Sequence, residues 1–174
     1  KKAIGGIILS ASHNPGGIDG DFGVKLNIAN GGPAPESLTN KIFKSSKLLT
    51  SYKITKIQIP NLSRLGSFTY GETTVEIIDG LKDYSDLMEE IFDFDQISDF
   101  LKKDFSIIFD AMNAVTGPYA KNIFVEKMGL PYDCVMNGTP LKDFGGLHPD
   151  PNLTYASHLA DLLLNKKSYN FGAA

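Results

Sequence analysis

Gly5-Gly6-Ile7-Ile8-Leu9-Ser10-Ala11-Ser12-His13-Asn14-Pro15-Gly16-Gly17 is an apolar run that breaks into a turn. Ile7 to Leu9 is short and rich in β-branched residues, which predicts a strand, here read as a buried one. His13-Asn14-Pro15-Gly16-Gly17 stops it. Pro15 fixes one φ and biases Asn14 away from helix, and the two glycines supply backbone conformations that other residues avoid. Ser12 then stands just past a strand end, the place where open α/β sheets present residues to ligands. Two readings fit it. Ser12 is a nucleophile or phosphate carrier with His13 and backbone N–H groups around it, or Ser12 and Asn14 close a polar turn by bonding their own backbone. The G-x-S-x-G elbow of serine hydrolases is absent, so the usual acyl-transfer argument does not apply.

The 174 residues suffice for one large domain or two small ones with a real core. Hydrophobic content of 42% and charged content of 21% are those of an ordinary globular protein. A net charge of −3 gives no general attraction to nucleic acid or anionic lipid. No apolar run approaches bilayer-spanning length, so neither a nucleic-acid nor a membrane partner is expected. One cysteine, Cys134, excludes an internal disulfide framework and fits a reducing compartment. Lys1-Lys2-Ala3 leads into a strand rather than a signal core, and the cytoplasm is the expected location. The first residue is not Met, and Tyr169 to Ala174 resembles a strand stopping before its loop. A fragment is therefore expected.

The rest of the chain alternates strands and helices. Pro33-Ala34-Pro35-Glu36 starts a helix expected to run to about Tyr52. Lys53 to Ile59 reads as a short strand closed by Pro60, Asn61 to Glu72 as loop, and Thr73 to Ile78 as a strand ended by Gly80. Leu81 to Phe92 carries Tyr84, Leu87, Met88 and Ile91 at helical spacing. Asp95 is expected to cap a helix through Lys103, and Ile107-Ile108-Phe109 is a continuous apolar strand of the doubly buried kind. Gly117-Pro118 opens a helix that Gly129 ends, Tyr132 to Met136 is a strand, and Thr154 caps a last helix. The alternation of helix and strand after Leu81 argues βαβ units and a largely parallel sheet there.

Ser10-Ala11-Ser12-His13-Asn14-Pro15-Gly16-Gly17, with Asp19-Gly20-Asp21-Phe22-Gly23-Val24-Lys25-Leu26-Asn27 after it, resembles the active-site serine loop of the alpha-D-phosphohexomutase superfamily. Asn30-Gly31-Gly32-Pro33-Ala34-Pro35-Glu36 and Asp143-Phe144-Gly145-Gly146-Leu147-His148-Pro149-Asp150-Pro151-Asn152-Leu153-Thr154-Tyr155-Ala156 narrow the likeness to its phosphoglucomutase branch. The resemblance implies two three-layer α/β domains with mixed or parallel sheets, both incomplete. Residues 1–82 would be the C-terminal half of the family's domain I, with the serine loop, and residues 83–174 most of domain II, ending before the metal loop.

It also implies a chemistry. Phospho-Ser12 would give its phosphoryl group to a hexose phosphate, forming glucose 1,6-bisphosphate, which reorients and returns its other phosphoryl group. The net result exchanges phosphate between the 1 and 6 positions of glucose. Ser12, His13 and Lys25 are the catalytic positions so implied. Ser12 is also the substrate-binding residue, and it is a Mg²⁺ ligand through its phosphoryl oxygen. Lys25 matches the family's proposed acid/base. A free lysine has a pKa of about 10.4 and a base working at neutral pH needs about 7–8. A phosphoserine dianion would hold Lys25 protonated, and a divalent cation on the phosphate would relieve that pull. His13 would orient Ser12 or bond a phosphate oxygen.

Asp19 and Asp21 are expected to shape the loop rather than bind metal. His148 with Asp150 is too small a set for a metal site, and helix capping accounts for that loop. Leu147 stands where the family commonly has a second histidine, and Ser10 where many members have threonine. The family's aspartate-rich metal loop, its sugar loop and its last phosphate loop do not occur in these 174 residues, so the piece alone is expected to be inactive. The alternatives to a mutase specific for glucose are a non-catalytic scaffold or secretion-linked phosphoprotein of the same superfamily, and a phosphohexomutase of different sugar preference.

Overall fold

A computed structural model describes residues 3–15, 18–103 and 105–174. The chain falls into two compact units, Lys1–Ser12 with Phe22–Ile78, and His13–Asp21 with Asp79–Ala174.

The first unit is built from two antiparallel hairpins and one helix. Strand β1 (Gly5–Leu9) pairs with β2 (Val24–Ile28) in a register running from Gly5 opposite Ile28 to Leu9 opposite Val24. Gly5 is required there, since a Cβ would lie 2.9 Å from the Asn27 carbonyl oxygen. The expectation of a buried β1 is corrected: Ile7 is 70% and Leu9 66% exposed. The strand forms where the pattern put it, but among the described residues it pairs with β2 alone in a two-stranded sheet.

Helix α1 (Glu36–Ser46) starts as expected, with Glu36 in the first turn complementing the helix dipole. It stops well short of Tyr52. The Ser46 hydroxyl donates to the Phe43 carbonyl at 2.8 Å, and Leu48 and Leu49 reach back only three residues, to Ser45 and Ser46. Side-chain competition for the last carbonyls ends the regular ladder.

Strands β3 (Gly66–Tyr70) and β4 (Thr73–Ile77) form a hairpin through the pair Gly71-Glu72, with Gly71 at φ 59°. β4 is where the sequence put a strand. β3 corrects the loop read over Asn61 to Glu72, and no strand forms over Lys53 to Ile59. That apolar stretch has no ladder partner among the described residues. It contributes instead the Gln58 carbonyl, which accepts from the Tyr70 hydroxyl at 2.9 Å.

The second unit is a three-layer arrangement around a parallel sheet in the order β6-β5-β7. The central strand β5 (Ile107–Asp110) pairs Phe109 with Val135 of β6 (Val135–Met136), and Ile108 with Gly172 of β7 (Phe171–Ala173). Its side chains alternate between two cores. Ile107 and Phe109 pack with Ala120, Met128, Leu130, Cys134 and Val135 and with Phe94, Ile97 and Leu101. Ile108, 3% exposed, packs on the other face with Met112, Ala156 and Leu159. A strand covered on both faces needs no polar alternation, which is why it reads as a continuous apolar run.

The helices of this unit are α2 (Gly80–Ile91), α3 (Phe94–Leu101), α4 (Thr116–Ala120) and α5 (Ser157–Leu164). The Asp79 carboxylate caps α2 by accepting from Leu81 and Lys82 amides at 3.0 and 3.2 Å. Asp93, not Asp95, caps α3, accepting from Gln96 N at 2.9 Å. Helix α4 runs on as a π-helix over Lys121–Lys127, ended by Gly129 at φ 68°. The strand read over Tyr132 to Met136 shortens to β6, because Tyr132–Cys134 winds into a 3₁₀ turn after Pro131. Thr154 does not cap α5. The Asn152 side chain accepts from the Thr154 and Tyr155 amides at 2.9 and 3.1 Å, and the helix begins at Ser157.

Gly117 fixes how closely α4 approaches the turn after β6. A Cβ there would lie 2.4 Å from the Gly138 carbonyl oxygen and 2.6 Å from its carbon, backbone atoms that cannot rotate aside. Gly117→Ala is therefore expected to destabilise the second unit by about 1–3 kcal/mol. The measurement is urea unfolding, where a lower midpoint at unchanged slope is the expected result.

Candidate active site

β1 delivers its last residues to a turn that is locked from both sides. The Ser10 amide donates to the Gly23 carbonyl at 2.9 Å, extending the ladder by one rung past Leu9 and Val24. Gly23 must be glycine for this closure, since a Cβ would sit 2.2 Å from the Ser10 carbonyl oxygen. Beyond that rung the Ser12 amide donates to the Ser10 hydroxyl at 3.0 Å. Ser12 is exposed and adopts φ 60°, left-handed backbone that costs a serine about 1–2 kcal/mol. A non-glycine residue held there by its neighbours is a local strain of the kind found at functional sites. Gly16 and Gly17 lie outside the described residues.

The antiparallel register sets where Lys25 stands. Lys25 faces Ile8 across the ladder, two rungs from the Ser10–Gly23 pair, or about 7 Å along the strand. Directly opposed residues share a face, and so do residues two apart, so Ser10 and Lys25 lie on the same face of the hairpin. Lys25 is exposed. Ser12 and Lys25 belong to the first unit, and His13, also exposed, groups with the second. The ladder thus brings an amine to the hairpin end that carries the strained serine.

The remaining sequence candidates are accounted for locally. Asp19 and Asp21 are exposed loop residues. His148 stacks on the Tyr155 ring with centroids 4.1 Å apart, and the Asp150 carboxylate accepts from the Asn152 side-chain amide at 2.7 Å. Among the described residues no group of three or more His, Cys, Asp or Glu side chains could hold a metal ion.

Sequence reading passed over one polar cluster, at the carboxyl edge of the parallel sheet. Asp110, 5% exposed at the end of β5, accepts from the Met112 amide and the Asn137 side-chain amide, both at 2.8 Å. Met112, Asn113 and Asn137 all have left-handed φ, at 51°, 55° and 49°. The Asn113 amide donates to the Asn137 carbonyl at 3.0 Å and its side chain to the Thr139 carbonyl at 3.0 Å, so the loops after β5 and β6 are tied together. Carboxyl edges of such sheets are where ligands bind. The signal available was an Asp directly after the apolar run Ile107 to Phe109.

The chain is similar to known proteins from end to end. Residues 1–53 match the family model described as phosphoglucomutase/phosphomannomutase, alpha/beta/alpha domain I. Aligned over the whole chain, phosphoglucomutase of Aspergillus fumigatus is 54% identical and the chloroplastic phosphoglucomutase of Arabidopsis thaliana 50%. The chain covers 32% of the first and 28% of the second, so it spans about a third of the length of these relatives. A crystal structure of the exocytosis-sensitive phosphoprotein pp63/parafusin, a phosphoglucomutase from Paramecium in its open form, superposes with a TM-score of 0.87 at 43% identity. That match covers 96% of this chain and 31% of the Paramecium chain. With half of its residues shared along its entire length and the same backbone course, the chain resembles about a third of a phosphoglucomutase.

Proposed function

We propose that this chain carries the phosphoryl relay of a phosphoglucomutase, an intramolecular phosphotransferase that interconverts glucose 1-phosphate and glucose 6-phosphate. The observation that carries the reading is Ser12, exposed and left-handed at the locked end of β1, in a chain half identical to phosphoglucomutases. Residues 1–82 are assigned to the second half of domain I and residues 83–174 to most of domain II. The family match over residues 1–53 and the parting of the two units between Ile78 and Asp79 support that division.

In the forward step a sugar hydroxyl attacks the phosphorus of phospho-Ser12. The new bond is sugar oxygen to phosphorus, the bond that breaks is phosphorus to Ser12 Oγ, and the hydroxyl proton must leave as Ser12 Oγ regains one. Lys25 is assigned this proton traffic, accepting from the attacking hydroxyl and supplying the serine oxygen. His13 is assigned to orientation of Ser12 or of a phosphate oxygen. The bisphosphate turns over and the same steps run backward from its other end. Because phosphoryl transfer rests on positioning and charge neutralisation, the rigid Ser10–Gly23 closure is the chain's own contribution to alignment.

Mg²⁺ is the proposed cofactor, and it would neutralise phosphate charge when bound. A phosphoryl oxygen on Ser12 would supply one ligand. The substrate is proposed to be a hexose phosphate. Neither nucleic acid nor membrane is a proposed partner, and no helix among the described residues is long and apolar enough to cross a membrane. The cytoplasm is the proposed location. Among the relatives, those from Arabidopsis and Marchantia are named chloroplastic.

One finding favours a second reading, a secretion-linked phosphoprotein without catalysis: the Paramecium relative is named exocytosis-sensitive as well as phosphoglucomutase. A coupled assay with glucose 1-phosphate on the full-length protein separates the two, and mannose 1-phosphate in parallel reads sugar preference. For the mutase reading, Ser12→Ala is expected to lower kcat by about four orders of magnitude or more, as loss of a nucleophile does. Phosphopeptide mass spectrometry should find phosphate on Ser12 of the resting enzyme, and retained turnover in the variant would end the proposal. Lys25→Met is expected to lower kcat by about 10²–10³ with KM little changed, the mark of a proton-transfer group.

A further inference from the structure

A cavity of about 320 Å³ lies in the second unit at the amino edge of the parallel sheet, opposite the edge that carries Asp110 and Asn137. Its walls come from the segments that lead into all three strands and from the end of α3. Leu101, Phe105, Ile107, Leu130, Pro131 and Tyr169 make it predominantly apolar. Its volume is at the small end of ligand sites, about 300–1,000 Å³.

The polar groups around it are unequally committed. Ser106 is held by Asn170: its amide and hydroxyl donate to the Asn170 side-chain oxygen at 2.8 and 3.0 Å, and its carbonyl accepts from the Asn170 amide at 3.0 Å. The Lys102 side chain makes no hydrogen bond or ion pair with a described residue. Its ammonium lies against Gly129, 3.1 Å from where a Cβ would stand, so the glycine that ends the π-helix also leaves room for a cation on the cavity wall. Asp133 brings the opposite charge to the rim. Cys134 lines the wall, 4% exposed. Burial, and secondarily the Asp133 carboxylate, push its thiol pKa up, so the reactive thiolate is scarce at neutral pH and forms as the pH is raised.

We propose that the cavity binds a small molecule with an apolar body and one carboxylate. The body fills the space between Leu130 and Tyr169, and the carboxylate accepts from Lys102 Nζ. An aliphatic body gains by leaving water, and the ammonium selects the sign of the head group. A hexose phosphate, polar all round, is excluded from the same space by desolvation. This is a second ligand site that does not depend on the phosphoryl-relay reading, because it shares no residue with the serine turn.

The test uses octanoate, with 1-octanol and octylamine as charge controls. Binding is measured by titration calorimetry on the full-length protein, and Cys134 serves as reporter. Its alkylation by iodoacetamide at alkaline pH is followed by peptide mass spectrometry with and without each probe. Octanoate is expected to bind one to one and slow alkylation, to bind more tightly than octanol, and octanol more tightly than octylamine. Lys102→Gln, at an exposed position that leaves folding intact, is expected to weaken octanoate about tenfold and leave octanol unchanged. Asp133→Asn is expected to tighten octanoate. Equal affinity for the three probes, an unchanged octanoate affinity in Lys102→Gln, or alkylation at the same rate with and without octanoate would overturn the proposal.

Discussion

Burial of one four-residue strand on both faces organises the second unit. Ile107 and Phe109 face α3, α4 and the π-helix, Ile108 faces α5, and the two partner strands close the remaining sides. Each fully buried aliphatic side chain of this kind contributes about 1.5–3 kcal/mol. Every loop at the carboxyl edge is hung from this layer. Asp110, the last residue of that strand, accepts on that edge from Met112 and Asn137.

The serine turn rests on a different constraint, close approach of backbone to backbone. Gly23 lets the Ser10 amide meet its carbonyl, and Ser10 in turn anchors the amide of a serine in left-handed conformation. Position is set there by hydrogen bonds and a missing side chain rather than by a hydrophobic core. That holds an exposed side chain at a fixed angle to the strand it follows.

Much of this was legible in the sequence because the signals are local. β1, β4, α2, β5 and the Gly129 stop follow from apolar spacing, capping and glycine chemistry. β3 was missed because Phe68 and Tyr70 are its only apolar residues, and its partner is set by the Gly71 turn. Lys53 to Ile59 misled because periodicity does not supply a neighbouring strand. Asp95 reads as the cap of α3, but Asp93 takes that place and Asp95 falls in the first turn. At the site, the identities of Ser12, His13 and Lys25 came from motif resemblance. The left-handed Ser12 and the Asp110–Asn137 bond could not, since both depend on residues brought together by folding.

The widened winding over Lys121–Lys127 has a consequence for how the fold tolerates change in length. Its flanks are pinned: Tyr119 meets Tyr84 edge to face at 5.3 Å, and the Met128 carbonyl accepts from the Ser98 hydroxyl at 2.6 Å. The Met128 amide reaches back five residues, to Ile123, so one additional residue is stored between these fixed points. The segment is thus a slack coil, able to take up or release a single residue while both anchors stay where they are.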